Sequence, residues 1–117
     1  PKFVLGFFVA SILMTLVIAS EPLKEEIIEL WNNFSGRPQQ LNLPSAPKHF
    51  LRYYKEDNMP QALLCRDLEG GMSVSLGRLR EDTQYDYKFV GLSHNTLRGA
   101  AGGGGLLAEM LCAEGYI

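Results

Sequence analysis

Cysteine and histidine are scarce in this chain, with two residues of each type. Cys65 and Cys112 lie far apart and form no CxxC motif, so the sequence predicts neither a disulfide framework nor a zinc site. His49 and His94 have no ligand-like partners near them in the sequence, which argues against a metal centre. Two isolated cysteines of this kind are typical of reduced, partly buried thiols in a reducing compartment.

Long runs of one charge are also absent, and the formal net charge is −2 over 117 residues. Nucleic-acid-binding domains normally carry a basic face, so this balance argues against a nucleic-acid partner. The composition is otherwise ordinary, with 46% hydrophobic and 21% charged residues. It predicts one globular domain with its own core rather than a disordered chain.

Charged residues are missing altogether from residues 3–20, FVLGFFVASILMTLVIAS. An uncharged run of this length is compatible with a transmembrane helix or with the core of a signal peptide. A buried strand or helix whose partner is missing, or a junction in the gene, accounts for the run equally well. We therefore divide the chain into an apolar segment, residues 1–20, and a folded part, residues 21–117. Because the chain begins at Pro1 rather than Met, we expect its natural start to lie upstream.

Helical spacing of apolar residues begins directly after this run, in SEPLKEEIIELWNNFSG. Pro22 is tolerated in a first helical turn, and Gly36 is typical of a helix end. The predicted apolar face of this helix comprises Leu23, Ile27, Leu30, Trp31 and Phe34.

Strand patterns follow a Pro-rich connection, residues 37–60, in which HFLRYY is predicted to be a short strand. The stretches GMSVSLGRLRED and YDYKFVGLSHN each alternate apolar and polar residues, and a polar link joins them. This pattern predicts an antiparallel hairpin. A last helix is predicted from about Thr96, with an apolar stripe of Leu106, Leu107, Met110 and Leu111 and with Cys112 as a packed thiol. The fold class is therefore α+β, with helices on one side of a small antiparallel or mixed sheet.

Glycine is concentrated where this last helix begins, in SHNTLRGAAGGGG, residues 93–105. Each glycine inside a helix costs about 1 kcal/mol relative to alanine, so a compensating role is expected. A bare backbone at a helix start allows close approach to a phosphate group or close packing against another domain. The stretch matches neither the Walker pattern nor the context of a Rossmann fingerprint, so both interpretations stay open.

Several segments together resemble a known family. GMSVSLGRLRED, YDYKFVGLSHNTLRGAAGG and AEMLCAEGYI are similar to the C-terminal part of aspartate-semialdehyde dehydrogenase, most closely its fungal and archaeal branch. The resemblance extends upstream through PLKEEIIELWNNFSGRPQQLNLPSAP and covers about residues 21–117. It implies an N-terminal Rossmann domain that binds NADP and a second α+β domain that carries catalysis and dimerisation. It also implies a final helix that returns to pack on the Rossmann domain.

The resemblance further implies the chemistry of a cytoplasmic oxidoreductase of amino-acid biosynthesis. Such enzymes use NADPH to reduce aspartyl phosphate to aspartate semialdehyde, on the route to lysine, methionine and threonine. Their nucleophilic cysteine, acid/base histidine and Rossmann loop have no counterpart here, and Cys65 and Cys112 do not match the nucleophile. We therefore assign no catalytic residue and expect the chain alone to be inactive. Related acyl-phosphate and acyl-CoA reductases share the general plan, which leaves the substrate open.

The resemblance implies binding roles for residues of one segment. It implies that Asn95 and Thr96 contact the cofactor or the active site, and that the backbone at Gly99 and Ala100 lies close to NADP. The expected partners are a Rossmann domain, in cis or in trans, and a second copy of the chain that pairs through the sheet.

Two further expectations concern surfaces. The resemblance places Arg78 and Arg80 on a strand used for dimer packing, where they suit ion pairs across the interface, but a solvated strand end is the more cautious interpretation. Without a Rossmann domain, Leu106, Met110 or their neighbours are expected to be exposed, so that the chain is marginally stable or self-associates. The alternative function is a non-catalytic interaction module, derived from this family and anchored to a membrane by residues 3–20.

Overall fold

A layer of helices and loops packs on a mixed β-sheet in the part of the chain that the computed structural model describes, residues 2–4, 11–17 and 23–117. The predicted α+β class is confirmed in its coarse form, a small mixed sheet with helices. The elements, in chain order, are β1 (Lys2–Val4), β2 (Ser11–Val17), α1 (Lys24–Asn32), α2 (Arg37–Gln40), β3 (Leu51–Tyr54), α3 (Ala62–Cys65), a 3₁₀ turn (Leu68–Gly71), β4 (Val74–Glu81), β5 (Tyr87–Leu92), a π-helical turn (Leu97–Ala101) and α4 (Gly102–Ala113).

The described strands lie in the order β1-β2-β5-β4-β3. Strands β4 and β5 pair antiparallel, so the predicted hairpin is confirmed, and β3 confirms the short strand predicted within HFLRYY. Strand β3 joins β4 in parallel, which makes the sheet mixed. Strand β2 pairs antiparallel with both β5 and β1.

The apolar segment, residues 1–20, contributes strands β1 and β2 where its backbone is described. The rest of the segment lies outside the described residues, and so does half of the run for which a membrane or signal role was considered. Among the described residues, no helix combines the length and the apolar character needed to cross a bilayer.

Helix α1 lies on one face of the sheet and forms its main core. Ile27 is buried with Leu76, Leu79 and Phe89, and the Trp31 ring lies 4.8 Å from the Phe89 ring, centroid to centroid. Aromatic pairs at this separation add to the stability that burial of their area provides. The buried residues of this core therefore come from one helix, α1, and from the two strands of the hairpin, β4 and β5.

The predicted apolar face of α1 is wrong at three positions. Leu23 is 65% exposed, Leu30 69% and Phe34 47%. Leu23 and Phe34 lie just outside the helix, and the helix turns toward the sheet through Ile27, Ile28 and Trp31. Because Ile28 is part of the contact face, Leu30 points toward solvent on the opposite side.

A β-bulge changes the side-chain alternation of β4. Gly77 pairs with Val90 and Arg80 with Lys88, so one extra residue lies on β4 between the two pairs. Arg78, directly after Gly77, lies in this bulge and has a φ of 57°. The bulge places Leu79 in the α1 core, as a bulge of this kind re-aims the residues that follow it.

The other face of the sheet is covered by the connection from residue 55 to residue 70, which includes α3. Ser75 and Cys65 are buried there, and burial together with a hydrogen bond to Cys65 raises the pKa of Tyr54. A side chain at position 77 would bring its Cβ within 2.5 Å of the Met59 carbonyl oxygen, so only glycine lets this connection approach the strand. The prediction of helices on one side is therefore incomplete, since α3 packs on the second face.

Candidate functional site

The candidate cofactor segment leaves the end of β5 and enters α4 through a π-helical turn. The N–H of Gly99 donates to the carbonyl of His94 over 3.1 Å, and that of Ala101 to the carbonyl of Thr96 over 2.9 Å. Both bonds span five residues, which is the π-helical pattern, and such turns are frequent at functional sites. The predicted site residues Asn95, Thr96, Gly99 and Ala100 all lie in this turn or directly before it, and all four are exposed.

His94 fixes the start of this segment through its side chain. Its Nδ1 accepts the backbone N–H of Leu97 over 3.2 Å and lies 3.0 Å from the Thr96 hydroxyl oxygen. The ring packs against the 3₁₀ turn, since a Cβ on Gly71 would lie 3.3 Å from the His94 Cδ2. The sequence pattern indicated no role for His94. It did contain one signal, because a polar residue three positions before the first residue of a helix has the spacing of an N-cap from the backbone N–H that it accepts.

The glycine-rich stretch divides into two parts with different surroundings. A Cβ on Gly102 would lie 2.7 Å from the Leu97 carbonyl oxygen, and one on Gly103 would lie 2.6 Å from that of Arg98. These two glycines let the carbonyls of the π-helical turn come close to α4. A Cβ on Gly99, Gly104 or Gly105 would meet no atom within 4 Å. The second group therefore borders open space within the described part of the chain.

One face of α4 is attached to the rest of the chain. Leu106 is buried with Leu43 and Met72, which contradicts its predicted exposure. The Glu109 carboxylate accepts both the backbone N–H and the hydroxyl of Ser45, over 3.0 Å and 2.6 Å. The connection after α2 supplies these partners, and sequence spacing alone does not reveal that it folds back on α4.

An ion pair contacts the end of this helix. Arg37 donates from Nε to the Glu114 carboxylate. This hydrogen bond raises the pKa of Arg37 and lowers that of Glu114. Both side chains are at the surface, so the pair orients the helix end more than it stabilises the fold.

The opposite face of α4 is exposed and consists of small residues. It carries Gly104, Gly105, Ala108 and Cys112, and Ala101 at the end of the π-helical turn continues it at helical spacing. The neighbouring Leu107 is 53% exposed, so the prediction of an exposed apolar neighbour is confirmed there. Cys112 was predicted to be a packed thiol, and that prediction is wrong because its position lies on this open side. We call these five residues the small-residue face.

Arg98 attaches the π-helical turn to the start of β3. Its guanidinium carbon lies 4.2 Å from the centre of the Phe50 ring, within the range of a cation–π interaction. Partial burial lowers the pKa of Arg98. Its Nη1 is enclosed and has no hydrogen-bond partner among the described residues. The Arg98 contact and the His94 cap both hold the start of this turn.

A cleft of about 470 Å³ lies beside the segment, on its inner side. Its walls include Leu97 and Gly102 but none of the four predicted site residues. Those four residues are exposed, as Gly104 and Gly105 are. The arrangement therefore offers two exposed polar side chains next to an unobstructed helix surface.

The two thiols of the described structure have different surroundings. Cys65 is 1% exposed and lies beneath the sheet beside Tyr54. Cys112 lies near the C-terminal end of α4. The assignment of no catalytic residue to this chain remains a prediction.

Known proteins are similar in sequence to this chain over most of its length. An aspartate-semialdehyde dehydrogenase from Aspergillus fumigatus is 39% identical over 99 residues, which are 82% of this chain and 27% of that protein. A malonyl CoA reductase (NADP) from Metallosphaera sedula is 44% identical over 94 residues, 79% of this chain and 26% of that protein. No protein-family model matches the chain.

A solved structure shares the fold as well. The crystal structure of Candida albicans aspartate semialdehyde dehydrogenase with NADP superimposes with a TM-score of 0.80 at 37% identity, and the match covers 92% of this chain and 30% of that one. The chain belongs to the aspartate-semialdehyde dehydrogenase family. It spans about a quarter of the length of the curated relatives it matches.

Proposed function

We propose that the chain is the C-terminal part of an NADP-dependent semialdehyde dehydrogenase, in which α4 packs on a Rossmann domain beside the cofactor. The observation that carries this proposal is the asymmetry of α4. One face is held by Leu106, Glu109 and Glu114, while the small-residue face meets nothing within the described chain. Helix surfaces made of glycine and alanine permit the closest backbone approach, so this face suits a partner at short range.

The residues present fit a dinucleotide at the edge of this face. Asn95 and Thr96 supply exposed polar groups directly before the π-helical turn, and Gly99 leaves the backbone bare. We propose that Asn95 and Thr96 contact NADP and that Gly99 and Ala100 allow it to approach. NADP supplies hydride chemistry when it is bound, and this chain contributes part of its binding site.

The substrate class follows from the relatives only in outline. The similarity to both an aspartate-semialdehyde dehydrogenase and a malonyl CoA reductase supports reduction of an activated acyl group, an acyl phosphate or a CoA thioester. We propose aspartate semialdehyde and phosphate as the product pair, because more of the compared relatives carry that name. Such a biosynthetic enzyme is expected in the cytoplasm.

We further propose that two copies of the chain pair across the second face of the sheet. Leu63 and Leu64, on α3, are 81% and 64% exposed, and two adjacent exposed leucines favour a protein partner. Sedimentation velocity of the chain and of a Leu63→Glu, Leu64→Glu variant measures the pairing. We expect the variant to sediment as a monomer, and a dimer of unchanged strength would contradict this interface.

Co-expression tests the main proposal. The chain is expressed together with the portion of the Aspergillus fumigatus enzyme that it does not match, and NADP reduction is measured with aspartate semialdehyde and phosphate. A parallel assay with malonyl CoA and NADPH separates the two substrate classes. Co-purification together with activity in either assay supports the proposal, and the absence of both contradicts it.

A matched pair of variants shows whether the small-residue face makes the contact. Gly104→Leu fills that face, whereas Gln40→Leu changes an exposed residue on α2. We expect Gly104→Leu to abolish co-purification and Gln40→Leu to leave it unchanged. Because leucine favours helix more than glycine does, loss of binding in Gly104→Leu would not result from unfolding of α4.

A further inference from the structure

The protonation state of the His94 ring follows from the atoms around it. A backbone N–H can only donate, so the bond from Leu97 to Nδ1 requires that Nδ1 carry no hydrogen. The ring is therefore neutral, with its hydrogen on Nε2. With Nδ1 unprotonated, the Thr96 hydroxyl, 3.0 Å away, is the donor of this contact and shares the single lone pair of that nitrogen with the Leu97 N–H.

This arrangement decides what Thr96 can offer to a ligand. A hydroxyl has one hydrogen and two lone pairs, and here the hydrogen is used by His94. The exposed side of Thr96 thus presents lone pairs alone. An amide NH₂ or a ribose hydroxyl is a suitable partner for such a group, and a phosphate oxygen is not, since it needs a donor.

We propose that His94 is a positioning residue that holds the start of the last helix and makes Thr96 a hydrogen-bond acceptor toward the cofactor. The part that concerns the cofactor rests on the proposed function. The part that concerns the ring and the helix start stands on the contacts of this chain alone. Protonation of His94 would place a hydrogen on Nδ1, so that Leu97 and Thr96 would both lose their acceptor.

The charged groups on the elements that pack against the ring are engaged elsewhere. On the 3₁₀ turn, the Glu69 carboxylate accepts the backbone N–H groups of Lys48 and His49. On the π-helical turn, the Arg98 guanidinium lies on Phe50. Among the described residues, the polar contacts of the ring are therefore the two donors that face Nδ1.

Long-range ¹H–¹⁵N correlation on the labelled 117-residue chain tests the tautomer directly. We expect the Nε2–H form of His94 at neutral pH, while the exposed His49 serves as the internal reference. An Nδ1–H form, or the same mixture of tautomers as His49 shows, would overturn the proposal. NADP plays no part in this measurement, so its outcome is independent of the proposed function.

Hydrogen exchange of the Leu97 amide tests the positioning role. We expect exchange to become about fivefold faster in His94→Ala, which corresponds to the loss of an N-cap, and to stay slow in His94→Asn, whose side-chain oxygen replaces Nδ1. Equal protection of Leu97 in both variants would overturn the proposal, and unchanged exchange at Phe89 confirms that the sheet is intact.

Discussion

Replacing a glycine of the small-residue face by alanine provides a direct measure of how open that face is. A Cβ on Gly104 would meet no atom within 4 Å, so alanine introduces no clash. Alanine favours a helix interior over glycine by about 1 kcal/mol. Gly104→Ala is therefore expected to raise the free energy of unfolding of the chain by about 1 kcal/mol.

Gly102→Ala is the matched control, two residues earlier in the same helix. Its Cβ would lie 2.5 Å from the Met72 sulfur and 2.7 Å from the Leu97 carbonyl oxygen. Overpacking of this kind typically costs about 1 to 3 kcal/mol, which offsets or exceeds the gain in helix propensity. The two variants should therefore differ in stability by at least about 1 kcal/mol, with Gly104→Ala the more stable.

Thermal unfolding followed by circular dichroism measures both variants. A gain of 1 kcal/mol corresponds to an increase in Tm of roughly 4 to 8 °C for a domain of this size. The measurement is made at several protein concentrations, because self-association through α4 would cover the same face. If Gly104→Ala is neutral or destabilising at the lowest concentration, another part of the chain covers the face, and the reasoning behind the proposed docking surface is refuted.

Three further outcomes follow from the same contacts. The pKa of Asp82 lies below its usual range, chiefly because the carboxylate accepts the Tyr85 N–H and also because it pairs with Lys88. The Asp82 carboxylate therefore contributes to stability above the pKa of the unfolded carboxyl, and this contribution is lost as the pH falls through the lower pKa of the folded state. Denaturant titrations at several pH values should show a weaker acid dependence of stability in Asp82→Asn. Leu106→Ala should lower the free energy of unfolding by about 2 to 5 kcal/mol and accelerate hydrogen exchange throughout α4, since it opens the core shared with the connection after α2. The purified chain alone should give no NADP reduction with aspartate semialdehyde and phosphate, and detectable turnover in a spectrophotometric assay would show that the chain is catalytically sufficient.

The elements that local pattern defines were predicted correctly. The alternation of GMSVSLGRLRED and YDYKFVGLSHN predicted β4, β5 and their antiparallel pairing, because strand residues point alternately to the two faces. The bulge at Arg78 was not predicted. A residue other than glycine with a φ of 57° carries no signal in the sequence, and its backbone is held by the pairings on either side.

The cofactor role of the four site residues stays a prediction, and the sequence does not reveal the surroundings of the glycines beside them. The sequence locates Asn95 and Thr96 before the last helix, yet it treats the glycines that follow as equivalent. Only the π-helical turn distinguishes Gly102 from Gly104. A Cβ on Gly102 would lie against the Leu97 carbonyl, whereas one on Gly104 would contact no atom of the described residues. The burial of Leu106 was also missed, because it depends on a connection some sixty residues earlier folding back on α4.

The attachment of α4 has a consequence for how it binds a partner. A terminal helix that folded only on docking would have to pay its ordering entropy from the contact energy. Here Leu106, Glu109 and Glu114 hold the helix in place, and His94 and Arg98 hold the turn before it. The small-residue face is thus formed before any partner arrives, and preorganisation of this kind preserves affinity when the contact itself offers little side-chain area. A surface of glycine and alanine can serve as a docking site because the opposite side of the helix is so firmly attached.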